Sequence, residues 1–295
     1  MSERSQRLAR GLIWVVPALW SSNYVIGRLA SGVIGPNQLA LGRWALALLI
    51  MLPFVAPALR RNADAVRQEW RRSLLLGSLG MYVCGAWVYL GAQTTTATNI
   101  ALIYAVSPVA IAVAGVKMLQ ERMSKAQRVA VGSAVAGVLW VIAQGDPAHL
   151  LAVRFSVGDA WIVGATLAWI AYSVLLKHWP SRLDPAARLA LVIAGGLVVL
   201  LPFALLEWWT QPQQPFTPAA LGLVVLAALL PGVLSYTAYS YLQRELGASR
   251  TALMLYLAPI YGALNAWLFL GEVPQSYHAI GAALILPSIW LATRR

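Results

Sequence analysis

The chain has 295 residues, of which 60% are apolar and 11% are charged, whereas about 25% of residues are charged in ordinary soluble domains. So few charges cannot cover the surface of a soluble domain of this size. The net charge of +12 does not indicate nucleic-acid binding, because the basic residues lie between apolar runs and form no single basic face. The single Cys84 excludes an intramolecular disulfide, and without paired Cys or Cys/His clusters we expect neither a structural metal nor a cofactor.

Apolar runs follow one another along the whole chain, each near the roughly 20 residues that cross a hydrocarbon core of about 30 Å. Backbone groups in lipid must be hydrogen-bonded within their own segment, so runs of this length are helices. The first run follows Arg4, Arg7 and Arg10 but has no small-residue cleavage pattern after it, which favours an uncleaved helix over a signal peptide. The sequence thus predicts an all-α integral membrane protein with ten transmembrane helices, near residues 12–30, 39–59, 73–92, 98–119, 129–143, 158–179, 189–208, 219–242, 251–270 and 278–292.

The basic residues predict the orientation of these helices. Nineteen of the 22 Lys and Arg residues fall on one side when alternate connections are counted, and the opposite connections contain only Arg154. The positive-inside rule then places both termini in the cytoplasm, in the cell (inner) membrane. Arg28 and Arg43 lie inside the first two spans, toward their outer ends. Either could pair with a carboxylate, but we expect both to snorkel to the surface.

Two halves of the chain read alike. Leu52-Pro53-Phe54 recurs as Leu201-Pro202-Phe203, a shift of 149 residues, and a fixed period indicates one structural unit used twice. Ten spans divide into two sets of five, and because five is odd the second set must enter the membrane from the opposite side. We therefore predict two inverted five-helix repeats, residues 1–145 and 158–295, with a substrate site where they meet near the midplane.

Two matching motifs connect this pattern to a known family. Tyr104-Ala-Val-Ser-Pro108 is followed by Gln120-Glu121, and Tyr256-Leu-Ala-Pro259 is followed by Gly271-Glu272. With Ala-Leu-Trp-Ser at residues 18–21, the chain resembles the EamA-type branch of the drug/metabolite transporter superfamily over essentially its whole length. In size, topology and aromatic content it is similar to bacterial aromatic amino-acid exporters of the YddG type. The resemblance implies alternating access and a cavity lined by helices 1, 3, 4, 6, 8 and 9.

The paired prolines are candidate gating residues. Pro108 and Pro259 lie inside apolar helices, where each removes a backbone donor and displaces the carbonyl four residues earlier. A simple packing kink is one interpretation. Recurrence at matching positions in both halves favours a moving or site-lining element.

Polar and aromatic residues inside the candidate cavity helices predict the substrate site. Buried hydroxyls and amides need partners, so they face protein or water rather than lipid. We expect ordinary packing to account for at least half of these residues, and Asn23, Tyr82, Trp169 and Tyr239 are the strongest candidates because each lies well inside its span. The predicted substrate-binding residues are Trp20, Asn23, Tyr24, Tyr82, Trp87, Asn99, Tyr104, Trp169, Tyr172, Tyr236, Tyr239 and Tyr256.

The acidic residues narrow the function further. Glu121, Asp159, Glu207 and Glu272 all fall near span ends, so the spans contain no acid relay for protons, and facilitated export, exchange and proton antiport stay open. No nucleophile, metal or phosphate-loop motif indicates an enzyme. A scaffold, receptor or channel would not need inverted halves. We expect a carrier in the lipid bilayer that exports neutral and aromatic amino acids and related small metabolites, with multidrug or other metabolite efflux as the alternative and the oligomeric state open.

Overall fold

The computed structural model describes residues 3–95, 97–151, 154, 156–210, 217–271 and 273–293, and these residues form helices with no strand among them. Eight helical segments in these ranges are long and apolar enough to cross a membrane. A further helix lies at each end of the chain. The helices are α1 (Glu3–Ala30), α2 (Pro36–Arg61), α3 (Ala63–Ala92), α4 (Ala97–Tyr104 and Ser107–Met118), α5 (Lys125–Ile142), α6 (Val157–His178), α7 (Pro185–Thr210), α8 (Pro218–Leu246), α9 (Ala248–Ala252, Leu253–Leu257 and Ala258–Leu270) and α10 (Ser276–Thr293).

Helices α4 and α9 are both interrupted just before a proline. In α4 the second piece begins at Ser107, with Pro108 as its second residue. In α9 a 3₁₀ segment, Leu253–Leu257, precedes a last piece in which Pro259 is again the second residue. Proline is tolerated in the first turn of a helix because its missing N–H would have no partner there. The predicted kinks are therefore helix breaks, and their role in gating stays a prediction.

Helices α3 and α8 each contain a π-helical segment, Ser78–Trp87 and Ala228–Leu234. Pro231 lies inside the second segment. A π-helical segment widens the turn and leaves backbone carbonyls with altered partners, and such segments are frequent at functional sites.

Helices from the first half of the chain pack mainly against helices from the second half. Helix α1 packs against α8 and α9, whereas α6 packs against α3 and α4, and α7 packs against α2 and α3. Glycines allow the closest of these crossings: a Cβ atom on Gly77 of α3 would lie 2.2 Å from the backbone nitrogen of Gly196 in α7. Backbone-to-backbone contact of this kind is how membrane helices gain packing energy without a hydrophobic driving force.

Two of the acids near span ends hold the first turns of other helices. The Glu207 carboxylate of α7 accepts the backbone N–H groups of Asn37 and Gln38 at 3.2 and 3.0 Å, at the start of α2. The Glu121 carboxylate, just beyond α4, accepts those of Ala248 and Ser249 at 2.7 and 2.8 Å, at the start of α9. The first N–H groups of a helix have no partner within it and carry a partial positive charge, so both contacts stabilise the packing.

The expectation that Arg43 snorkels to the surface is wrong. Its side chain is buried, with the residue 4% exposed, and the guanidinium lies 4.3 Å from the centre of the Trp44 ring. The reason is that this face of α2 packs against the π-helical segment of α8, to whose Pro231 carbonyl oxygen Arg43 donates at 3.4 Å, and the guanidinium also donates to the Asn23 side-chain oxygen of α1. The side chain of Arg28 lies outside the described residues.

Candidate functional site

Five aromatic rings from α1, α6 and α8 meet inside the bundle. Trp20 of α1 lies with its ring centre 5.2 Å from Trp169, 5.5 Å from Tyr236 and 5.1 Å from Tyr239. Tyr172 stacks on Trp169 at 5.5 Å. We call these five residues the aromatic cluster. All five were predicted as substrate-binding residues, and the structure brings them together.

Helix geometry explains why these rings converge. Trp169 and Tyr172 are three residues apart on α6, as are Tyr236 and Tyr239 on α8, so each pair lies on one helix face. Tyr172 and Tyr239 are fully buried, whereas Trp20 is half-buried. Trp20 is therefore the most accessible ring of the cluster.

Hydrogen bonds hold most of the tyrosine hydroxyls of the cluster. The Tyr239 hydroxyl lies 2.8 Å from the Ser173 hydroxyl and accepts the side-chain amide of Gln243 at 2.8 Å. The Tyr236 hydroxyl donates to the backbone carbonyl of Gly80 at 3.3 Å. The buried Tyr172 hydroxyl has no hydrogen-bond partner within the described structure. Of the three cluster tyrosines, Tyr172 is thus the one whose hydroxyl has no hydrogen bond to the described residues.

A polar group lies beside the cluster, also on α1. The Asn23 side-chain oxygen accepts the Tyr89 hydroxyl at 2.7 Å and an Arg43 guanidinium N–H at 3.4 Å. Asn23 is three residues from Trp20 and so lies on the same face of α1. Trp44 connects this group to the cluster through an edge-on contact with Tyr236 at 5.0 Å. Asn23 was predicted as a site residue, whereas Arg43 and Trp44 were not. The position of Arg43 inside an apolar span was a signal that could have identified it.

Tyr82 and Trp87 lie on α3 but contact other rings. Tyr82 stacks on Phe203 of α7 with ring centres 4.4 Å apart, and Trp87 contacts Trp161 of α6 edge-on at 5.0 Å. Phe203 and Trp161 are exposed on the outside of the bundle. The structure therefore places Tyr82 and Trp87 against this outer layer of rings and not with the aromatic cluster.

The remaining predicted residues are spread along α4, α9 and α1. Asn99 lies at a helix end, where its side-chain amide donates to both Asp159 oxygens at 3.1 and 3.0 Å. Tyr104 ends the first piece of α4 and the buried Tyr256 lies in the 3₁₀ segment of α9, so each borders a helix break. The side chain of Tyr24 lies outside the described residues.

A basic pocket of about 400 Å³ opens one helical turn from the cluster. Gln243, which bonds Tyr239, also accepts the Lys177 ammonium at its backbone carbonyl, at 3.1 Å. Lys177 lines the pocket together with Arg244, Arg250 and Glu121. The basic residues that line this pocket lie in or next to the connections that contain most of the Lys and Arg residues of the chain.

The cluster carries no negative charge. Among the described residues, the hydrogen bonds and ring contacts of the cluster involve hydroxyls, amides, carbonyls and rings but no carboxylate. No group of three or more His, Cys, Asp or Glu in the described ranges could hold a metal ion. Such a surface can bind an apolar or aromatic body through ring contacts, with polar atoms at its edge.

Comparison with known proteins identifies the family of this chain. The family model of the EamA-like transporter family matches residues 9–143 and, a second time, residues 156–294. The chain belongs to the EamA-like transporter family. It is therefore a multi-pass membrane transporter for small molecules rather than an enzyme, and the resemblance drawn from the paired proline motifs is confirmed.

Relatives of this EamA-like protein are similar along nearly their whole length. An uncharacterized transporter of Archaeoglobus fulgidus is 24% identical over 284 residues, 96% of each chain. A probable terminal-alkyne amino-acid exporter of Streptantibioticus cattleyicolor is 26% identical over 94% of this chain and 90% of that protein. A probable amino-acid metabolite efflux pump of Salmonella typhimurium is 22% identical over 95% and 93%. One solved crystal structure, 18% identical, shares the fold with a TM-score of 0.77 over 96% of both chains.

Proposed function

We propose that this EamA-like transporter exports neutral and aromatic amino acids, and related small metabolites, from the cytoplasm. The observation that carries the proposal is the aromatic cluster, in which five rings from α1, α6 and α8 meet and contact no carboxylate among the described residues. Rings provide a large apolar contact area and weak attraction for an ammonium group. The absence of a negative charge disfavours strongly cationic drugs. One methylene group changes binding in an apolar pocket by only about 1 to 3 kcal/mol, so such a site accepts a range of side chains.

The names of two relatives support this class of cargo. The Streptantibioticus cattleyicolor protein is named as an exporter of a terminal-alkyne amino acid, and the Salmonella typhimurium protein as an efflux pump for amino-acid metabolites. We assign the broad class to this chain and not the individual cargo of either relative.

The proposed architecture has ten spans, with α1 and α10 added to the eight long apolar segments. They form two inverted repeats, residues 1–145 and 158–295. The protein lies in the cell (inner) membrane, and both termini are in the cytoplasm. The two separate matches of one family model, to residues 9–143 and 156–294, support the repeat. Alternating access would exchange the conformations of the halves around the aromatic cluster.

We assign the roles of the residues as follows. Trp20, Trp169 and the neighbouring tyrosines contact the side chain of the cargo, and Asn23 contacts its polar head. The basic pocket at Lys177 is the cytoplasmic approach, because it lies one turn from Tyr239. The helix breaks at Pro108 and Pro259 are the gates.

A topology experiment tests the architecture. A tag inserted at residues 62–69, where α2 ends and α3 begins, should react only from the cytoplasm, and a tag at residues 211–214 only from outside. The second segment lies outside the described residues. Reaction of both tags from the same side would refute the inverted repeat.

A cellular experiment tests the cargo. Overproduction should make cells resistant to a toxic ring-substituted phenylalanine and should lower its internal level. Trp20→Ala should abolish the resistance, because Trp20 contacts three rings of the cluster, whereas Trp209→Ala should retain it, because Trp209 is 76% exposed. If the internal level of the analogue stays unchanged while efflux of bulky cationic drugs increases, amino-acid export is refuted and multidrug efflux is the function.

A further inference from the structure

The Arg43 guanidinium is a buried cation without a carboxylate partner in the described structure. Its contacts are two hydrogen bonds of 3.4 Å, to the Asn23 side-chain oxygen and the Pro231 carbonyl, and the face of the Trp44 ring. Its Nε–H has no hydrogen-bond partner. A guanidinium offers five N–H donors, and both bonds present are longer than the 2.7 to 2.9 Å typical of charge-assisted bonds. The hydrogen-bonding capacity of this cation is therefore largely unused.

Such a charge is costly in a membrane. Ionisable residues within membrane spans are rare, they usually pair with an opposite charge, and an unpaired one indicates a functional site. The other half of the chain has no cation at the matching position. The shift of 149 residues that relates the two halves makes Val192 of α7 the counterpart of Arg43 of α2 in the sequence. Val192 is also buried, at 1% exposure. An aliphatic side chain thus fills the matching position in the other half.

The position of Arg43 relative to the aromatic cluster fits an amino acid. Trp44 lies under the guanidinium and contacts Tyr236 of the cluster at 5.0 Å. Asn23, which bonds Arg43, shares a helix face with Trp20. A ligand whose ring enters the cluster would therefore place its polar head near Arg43. Asn23 and Tyr89 are half-buried and form the accessible edge of this group.

We propose that Arg43 binds the carboxylate of the transported molecule and is held in place for it by Asn23 and Tyr89. The inference rests on the proposed export of amino acids and adds the group that selects them. Arginine suits this task because its planar donors match both oxygens of a carboxylate. The transporter then distinguishes cargo with a free carboxylate from amides and amines that carry the same ring.

The experiment measures competition in proteoliposomes. The purified wild-type protein exchanges labelled L-phenylalanine, and unlabelled L-phenylalanine and L-phenylalanine amide compete for it. We expect the acid to compete at least about tenfold better than the amide, within the range of hydrogen bonds to a charged group. Arg43→Gln should weaken binding of the acid by roughly tenfold to a hundredfold and leave binding of the amide nearly unchanged. Arg61→Gln is the matched control, because Arg61 is exposed at the end of the same helix.

The readout separates recognition from packing. If Arg43 has a purely structural role, for instance in holding the π-helical segment at Pro231, Arg43→Gln should weaken binding of the acid and of the amide equally. That result overturns the proposal. If Arg43→Gln does not fold, the wild-type protein provides the second measurement, competition by 3-phenylpropanoate against 3-phenylpropanamide. Equal competition by this pair would also overturn it.

The same probes distinguish failure of this inference from failure of the proposed function. If the wild-type protein does not exchange L-phenylalanine, amino-acid export is refuted. Direct binding of 3-phenylpropanoate, followed by tryptophan fluorescence, then tests the carboxylate site alone. If Arg43→Gln weakens this binding and Arg61→Gln does not, the result supports the site for another carboxylate cargo. If Arg43→Gln leaves the binding unchanged, the carboxylate site is refuted.

Discussion

Replacing Gly77 by alanine should destabilise the protein by about 2 kcal/mol. The new Cβ atom would lie 2.2 Å from the Gly196 nitrogen and 2.3 Å from the Val192 carbonyl oxygen, both backbone atoms that no rotamer change can move. Ordinary van der Waals contact begins at 3.4 Å, so α3 and α7 must separate by about 1 Å, and overpacking of this kind costs about 1 to 3 kcal/mol. We take the upper end because backbone must move. Alanine returns up to about 1 kcal/mol through its higher helix propensity.

Unfolding of the purified protein in mixed detergent, followed by circular dichroism, measures this change. Gly132→Ala is the matched control, because no atom lies within 4 Å of its Cβ position on α5. The control should be neutral or more stable by up to about 1 kcal/mol, since only helix propensity changes. A Gly77→Ala protein as stable as the control would show that α3 and α7 do not cross as closely as the structure has them.

Two further predictions concern the helix ends and the helix breaks. Glu121→Gln should lower stability by about 1 to 2 kcal/mol in the same unfolding assay, because a neutral amide binds the two N–H groups at the start of α9 less strongly than a carboxylate; an unchanged midpoint would contradict this role. Pro108→Ala and Pro259→Ala should each yield folded protein with slower phenylalanine exchange in proteoliposomes, because continuous helices would replace the breaks. If both variants exchange at the wild-type rate, the prolines serve packing alone.

Part of the candidate site was predictable from depth along each span. Trp169 and Tyr239 were the strongest candidates because they lie well inside their helices, and the structure joins them in one cluster with Trp20. Tyr82 met the same criterion, yet it stacks on Phe203 of α7. Depth can be counted from a sequence, whereas the direction of a side chain depends on the rotation of its helix. Hydrophobic periodicity does not reveal that rotation when lipid and protein interior are equally apolar.

The sequence by itself determined the helical membrane class, the approximate spans and the family. Composition and run length are sufficient for these, because a lipid environment leaves helices as the only solution for long apolar segments without a closed barrel. The proline motifs also located both helix breaks at Pro108 and Pro259.

Only the tertiary structure decided which charged and polar groups meet. Glu207 lies 170 residues from Asn37, and their contact depends on how α7 crosses α2. Arg43 was expected at the surface, since a long side chain near a span end can reach water. It is buried because α8 packs against that face of α2 and the guanidinium bonds to Asn23 of α1. Whether a neighbouring helix or lipid covers a residue is set by contacts distant in the chain, and no local pattern encodes them.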